Sequence, residues 1–83
     1  MQYIVKSWDE VDFSDLKMPM ITIFKHPLDY PDKYVARVFD LNQPTNVLML
    51  ADTYNTLVSR IPNSMLRFIR DENDHPTIIE TWI

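Results

Sequence analysis

Glycine is absent from all 83 residues of this chain, and this absence limits which sites and turns the chain can form. Gly-rich phosphate loops and the dinucleotide-binding fingerprint need a close backbone approach that only glycine permits, so both common nucleotide-binding motifs are excluded. Two-residue hairpin turns of the Asn-Gly kind are excluded for the same reason. We expect the turns to be built from proline, asparagine and aspartate instead.

Length and the absence of cysteine restrict the chain further. A chain of 83 residues forms one domain with a small core. Without cysteine there is no disulfide and no thiolate zinc site, and small secreted domains usually depend on one of these. No apolar run reaches the roughly 20 residues of a membrane helix, and the N-terminal MQYIVKSWDE lacks the layout of a signal peptide. The sequence therefore predicts a soluble cytoplasmic protein.

The charge balance is mildly acidic, at −4 from twelve acidic and eight basic residues. A general nucleic-acid-binding protein needs a basic surface that attracts phosphates, so this balance disfavours nucleic acid as a partner. The charge is also too small for a DNA mimic, which would need dense runs of carboxylates.

From Met20 onward, short apolar runs alternate with proline-containing segments, and five runs read as strands: 21–24, 34–41, 47–50, 65–70 and 77–83. Asp52 stands at a helix N-cap position, and apolar residues follow it at helical spacing until Pro62 ends the helix. The short connections favour antiparallel neighbours. We therefore predict an α+β fold, in which a small antiparallel sheet of four to five strands carries one short helix, at about residues 52–61, on one face.

Residues 1–19 follow a different pattern. Residues 2–6 read as a further strand, and the Ser7-Trp-Asp-Glu10 segment matches a capping box at a helix start. Acidic residues then interleave with aromatic ones. We predict an N-terminal extension or cap at residues 1–19 and a single α+β domain at residues 20–83, with a partner-binding arm as the alternative to a cap.

Two polar loops contain both histidines of the chain. In KHPLDYPDKY (25–34), His26 and Asp29 or Asp32 suit a divalent metal or an acid–base pair, but prolines and aspartates are also typical of a plain turn. In DENDHP (71–76), His75 follows three acidic residues that lack the spacing and the glycine of a calcium loop. The plain loop is the favoured interpretation of both segments.

A metal site at these loops would require the two histidines to lie close together. If both lay at one end of the sheet, His26 and His75 could converge on a metal ion. The serines lack an oriented base and an oxyanion hole, so none is predicted to be a nucleophile. We predict that the chain is not an enzyme and that it holds no cofactor and no metal.

The strands carry large side chains on both alternating faces, whereas one short helix covers only one of them. Either the N-terminal segment or another protein would cover the second face. Arg37 and Arg67 interrupt the apolar alternation, and arginine beside aromatic side chains is typical of interface hot spots, although both could simply point to solvent. The predicted interaction surface consists of Tyr34, Arg37, Phe39, Arg67 and Trp82.

A resemblance adds a setting to this prediction. It is carried by four segments: PDKYVARVFD (31–40), PTNVLMLADT (44–53), RIP (60–62) and HPTIIETWI (75–83). These resemble small uncharacterised proteins of phages and integrative elements of low-GC Gram-positive bacteria. The resemblance covers residues 20–83, and it implies a genomic setting but no activity.

These observations predict a small non-catalytic interaction module of a phage or mobile element that binds a bacterial or phage protein. An inhibitor of a host defence nuclease is one specific form. The chain could instead associate with itself as a homodimer. In either case the predicted contact surface is the sheet face opposite the helix, with residues 77–83 at or near it. Two alternatives stay open: a nucleic-acid-binding accessory protein that uses Arg37 and Arg67, and a metal-binding protein that uses His26 and His75.

Overall fold

A computed structural model, which describes residues 2–83, shows a mixed sheet of six strands with one short α-helix. The α+β class is therefore confirmed. Neighbouring strands are antiparallel except for the first and fourth, and the order across the sheet is β1-β4-β3-β2-β6-β5. The elements in chain order are β1 Tyr3–Ile4, β2 Pro19–Lys25, β3 Tyr34–Asp40, β4 Gln43–Ala51, α1 Tyr54–Ser59, β5 Arg67–Ile69 and β6 Ile78–Trp82, with 3₁₀ helices at Trp8–Glu10 and Phe13–Asp15.

The sheet has six strands instead of the predicted four to five antiparallel ones, because the further strand expected within residues 2–6 forms as β1 and joins the sheet in parallel. This two-residue strand pairs with β4 in parallel, with Tyr3 beside Val47 and Ile4 beside Leu48. The backbone N–H of Val5 continues the pairing with a 2.9 Å bond to the carbonyl of Leu48. Parallel strands need a long crossover connection. The segment between β1 and β2 is long enough for the chain to cross the sheet and start β2 in the same direction as β1.

The connection between β3 and β4 is a two-residue hairpin turn that forms without glycine. Asp40 pairs with Gln43, so Leu41 and Asn42 make the turn, and Leu41 adopts a positive φ of 59°. That conformation costs a residue with a side chain about 1 kcal/mol. Bonds to Met18 stabilise it: Leu41 N–H donates to the Met18 carbonyl and Met18 N–H to the Asp40 carboxylate, both at 2.9 Å.

Helix α1 is shorter than the predicted 52–61, and its N-cap is Thr53 rather than Asp52. The Thr53 hydroxyl accepts a 3.2 Å bond from the N–H of Thr56, as a capping hydroxyl does. The Asp52 carboxylate instead pairs with the ammonium of Lys33. Leu57 is the fully buried residue of this helix and fastens it to β3 and β4.

The core lies between the sheet and α1, on what we call the helix face. The predicted capping box is present, because Ser7 N–H donates to the Glu10 carboxylate at 3.0 Å, but it starts a 3₁₀ helix. Trp8 of that helix is buried in the same cluster as Leu57 and Ile61. The N-terminal segment therefore lies beside α1 on the helix face and leaves the opposite face, here called the second face, to other elements.

Candidate functional site

The five residues of the predicted interaction surface divide between the two faces of the sheet. Strand pairing places Arg67 and Trp82 in line with the buried Ile21, on the helix face. Tyr34 packs against the same core. Arg37 lies opposite Thr22, on the second face, and Phe39 follows it there. The predicted set therefore does not form one surface.

Three polar side chains of the helix face converge on Glu80, which is fully buried in β6. Its Oε1 accepts bonds from the Tyr54 hydroxyl at 2.6 Å and from the Arg67 Nε at 2.8 Å. Its Oε2 accepts a 2.6 Å bond from the indole N–H of Trp82. These four residues, the Glu80 cluster, join α1, β5 and β6. Arg67, whose side chain is half exposed, and the partly buried Trp82 thus both donate hydrogen bonds to a buried carboxylate, which stabilises the fold.

Sequence reasoning missed Glu80, although the sequence contains a signal for it. In TIIETWI it is the one charged residue of an otherwise uncharged run. A charge inside such a run is either at a solvated face or paired within the core. Which of the two applies depends on whether donors from distant parts of the chain reach it, and the strand pattern does not contain that information.

The environment of Glu80 keeps it ionised. Burial by itself raises the pKa of this carboxyl, but the hydrogen bonds from Tyr54, Arg67 and Trp82 and the charge of Arg67 outweigh it, so the pKa lies below the ordinary 4.5. Burial, followed by the bond to Glu80, raises the pKa of Tyr54 above 10.0. A general acid or base works best with a pKa near the ambient pH, so neither residue is suited to proton transfer at neutral pH.

We expect the folded chain to lose stability in acid through Glu80. The folded-state pKa lies below the unfolded one, so the unfolded chain takes up the proton first as the pH falls. The contribution of ionised Glu80 to the free energy of unfolding is fully present above about pH 4.5 and disappears as the pH falls through the folded-state pKa. Thermal melts from neutral pH down to about pH 3 should show this decline. Glu80→Gln should have a flatter profile, and identical profiles for the two proteins would contradict the assignment.

The KHPLDYPDKY loop, residues 25–34, folds back over part of the second face. Asp29 accepts a 3.0 Å bond from the Arg37 guanidinium and a 3.4 Å bond from the Gln2 amide. The Tyr30 hydroxyl donates to the same Gln2 side chain at 2.6 Å. The loop therefore ties β3 to the residue preceding β1, and Leu48 on this side of the sheet is fully buried. The polar side chains of Asp29 and Tyr30 therefore hold the loop in place by hydrogen bonds.

The two histidines lie at the same end of the sheet, because the N–H of Lys25 donates to the carbonyl of Thr77 at 2.7 Å. The ring of His26 packs edge-on against Tyr34, with centroids 5.2 Å apart. The His75 Nδ1 shares a 2.8 Å hydrogen bond with the Thr77 hydroxyl. Across residues 2–83, no three His, Cys, Asp or Glu side chains come close enough together to hold a metal ion.

The part of the second face beyond the loop carries a continuous row of apolar side chains. Met20 of β2 pairs with Phe39 of β3, and the pairing of Ile21 with Trp82 brings Ile83, the residue after β6, next to Met20. Two backbone bonds of 2.8 and 2.9 Å join Ile83 to Leu66, the residue before β5. Leu66 at the end of this row is 67% exposed and Ile83 is 37% exposed. We call this set the apolar row; it consists of Phe39, Met20, Ile83 and Leu66.

An apolar hollow adjoins the apolar row at the same end of the sheet. It has a volume of about 350 Å³ and shares Ile83 with the row. Its other lining residues are Phe13, Pro19, Pro62, Ser64 and Met65. The hollow lies towards the helix face, because Phe13 and Met65 pack against the core there. Exposed apolar surface such as that of Leu66 and Ile83 is typical of a protein contact site. The apolar row is therefore the candidate functional site of this chain.

No protein-family model matches the sequence, and the comparisons with curated proteins and with solved structures gave no match. Within residues 2–83, no helix is long and apolar enough to cross a membrane.

Proposed function

We propose that this chain is a small non-catalytic protein-interaction module whose contact surface is the apolar row. The observation that carries the proposal is the exposure of Leu66 and Ile83 at the end of an aligned row on a face that α1 and the N-terminal segment do not cover. Burial of the exposed part of these side chains in a partner removes apolar surface from water and favours binding. A row of four, beside an apolar hollow, supports specific binding.

The setting of the proposal comes from the resemblance to proteins of phages and integrative elements. In that setting the partner is a bacterial or phage protein, and a host defence nuclease is one specific target. A nuclease carries basic surface where it holds nucleic acid, and the net charge of −4 suits an approach to such a surface.

The nucleic-acid alternative has less support. Arg37 and Arg67 lie on opposite faces of the sheet, so they do not form one basic surface. Each is already paired with a carboxylate, Arg37 with Asp29 at 3.0 Å and Arg67 with Glu80 at 2.8 Å. We expect no nucleic-acid binding that weakens with added salt; such binding, abolished by Arg37→Ala and Arg67→Ala, would favour the alternative instead.

The proposal predicts that a partner is lost when a charge enters the apolar row. Affinity capture from a Gram-positive bacterial lysate should retain a stoichiometric partner with the wild-type chain and lose it with Leu66→Glu. Leu28→Glu is the matched control, because Leu28 is 96% exposed in the loop that covers the other part of the second face. A carboxylate in the row must be desolvated on binding, whereas one at position 28 stays in water.

Retention of the partner by Leu66→Glu would contradict the proposed surface. Loss with Leu28→Glu alone would move the contact to the loop. Circular dichroism of both variants checks that they keep the fold, which we expect because both leucines are largely exposed.

A further inference from the structure

Strand β5 forms one edge of the sheet, and its outer backbone groups face away from β6. Leu66 and Ile83 exchange both of their backbone bonds, at 2.8 and 2.9 Å. Hydrogen-bonded pairs alternate along an antiparallel ladder, so Phe68 also points its backbone groups at β6. The N–H and carbonyl groups of Arg67 and Ile69 therefore point outward. An edge with unpaired groups and exposed apolar side chains is a template for another strand.

The backbone N–H groups that flank this edge on either side already have acceptors within the chain. The N–H of Met65 donates to the Pro62 carbonyl at 3.1 Å, and the N–H of Asp71 donates to the Asp74 carboxylate at 2.9 Å. Another strand can therefore pair with four backbone groups of β5, namely the N–H and carbonyl groups of Arg67 and Ile69.

We infer that β5 pairs with β5 of a second copy of this chain, antiparallel and centred on Phe68. In this register Arg67 of each copy exchanges both backbone bonds with Ile69 of the other. All four outward groups of each strand are thereby satisfied. The two Phe68 side chains, each 51% exposed, meet at the twofold axis on the second face. Facing aromatic side chains in such a pair stabilise a sheet.

Charge and the hydrogen bonds already made by Met65 and Asp71 favour this register over its two neighbours. Centring on Arg67 would place two guanidinium groups opposite each other and would need the N–H of Met65, which is already bonded. Centring on Ile69 would need the N–H of Asp71, which is also bonded. Centring on Phe68 opposes no like charges, because Arg67 faces Ile69 and Arg70 faces Leu66.

The flanking segments are complementary in charge as well. The turn after β5 contains Asp71, Glu72 and Asp74, and the pairing directs it towards residues 60–65 of the second copy. That segment, RIPNSM, has one arginine and no acidic residue. The pair of Arg67 with Glu80 within each copy also limits repulsion between the two copies. These features favour a second copy of this chain as the partner that pairs with the β5 edge.

The contact is small, so the dimer is expected to be weak and dependent on concentration. An edge pairing of this length lies below the roughly 1,200 Å² of total buried surface at which standard interfaces begin. The inference does not rest on the proposed function, since pairing uses the backbone of Arg67 and Ile69, whereas the partner contact uses the side chains of the apolar row; the two surfaces adjoin at Leu66.

Single-cysteine variants test the register directly, because the chain has no cysteine of its own. Directly opposed residues that do not exchange backbone bonds have Cα atoms about 4.5 Å apart, within the range a disulfide spans. Phe68→Cys should therefore form a covalent dimer under mild oxidation. Ile69→Cys is the matched control, since its two Cα atoms would be about 8 Å apart. A faster cross-link at position 69 than at position 68 would overturn the register.

Ile69→Pro tests the pairing without a new thiol. Proline removes an outward N–H that the chain's own sheet does not use, so the fold should persist, as circular dichroism would show. We expect wild-type chain to dimerise with rising concentration in sedimentation velocity and Ile69→Pro to stay monomeric, while both retain the captured partner. A wild type that stays monomeric at all concentrations, or an Ile69→Pro variant that dimerises like the wild type, would overturn the inference.

Discussion

We expect Glu80→Ala to lower the free energy of unfolding by about 3 kcal/mol, the largest effect of any polar substitution in this chain. The substitution leaves the hydroxyl of Tyr54 and the indole N–H of Trp82 without their acceptor. It also removes the partner of Arg67, but that side chain is 52% exposed and water can replace the carboxylate in part. For a domain of this size the thermal midpoint should fall by about 15 °C.

Glu80→Gln is the informative comparison. A glutamine keeps the shape and one acceptor oxygen, but its amide N–H₂ must face one of the three donors. We expect about half the loss of Glu80→Ala. Denaturant unfolding of both variants measures the difference. A Glu80→Ala variant as stable as the wild type would show that the Glu80 cluster contributes nothing to the fold.

We expect Trp8→Ala to lower the free energy of unfolding by about 3–5 kcal/mol, because it opens a cavity under the N-terminal segment. Trp8 is buried in one cluster with Ile21, Leu57 and Ile61, so the segment and the sheet share a core. A loss of this size would show that residues 2–19 are an integral part of the domain. A loss well below 1 kcal/mol would show that they are dispensable.

The two tryptophans should respond differently to phenylalanine. The indole N–H of Trp8 is buried and contacts no acceptor among residues 2–83, so Trp8→Phe removes no hydrogen bond and should cost far less than Trp8→Ala. Trp82→Phe removes a 2.6 Å bond to the buried Glu80 carboxylate and should cost more than Trp8→Phe. Paired thermal melts check the order, and a reversed order would contradict the hydrogen-bond assignment.

The cluster also changes the expected role of Trp82. From the sequence, Trp82→Ala is expected to weaken association or folding before His26→Ala or Asp29→Ala has an effect. Because the indole lies on the helix face and bonds Glu80, we now expect the effect on folding rather than on association. Asp29→Ala should have a measurable effect of its own, since Asp29 holds the covering loop to Arg37 and Gln2.

Features that depend on neighbouring residues were predictable from the sequence alone. Alternation in YVARVFDL separates Arg37 from Ala36 and Val38, and the structure places them on opposite faces. Apolar residues at helical spacing indicated a helix after Asp52, and Ser7 with Glu10 indicated a capping box. Each of these signals comes from residues that are a few positions apart, so the local backbone geometry is sufficient to produce it.

Tertiary structure alone decided which distant residues meet. Whether Glu80 is a solvated charge or a buried one depends on Tyr54 and Arg67, 26 and 13 residues away, and on a strand order that puts β6 between β2 and β5. The same order makes β5 an edge and places Leu66 beside Ile83 in the apolar row. Such contacts arise when a chain buries apolar surface cooperatively, and no local pattern encodes them because the partners are set by the whole sheet.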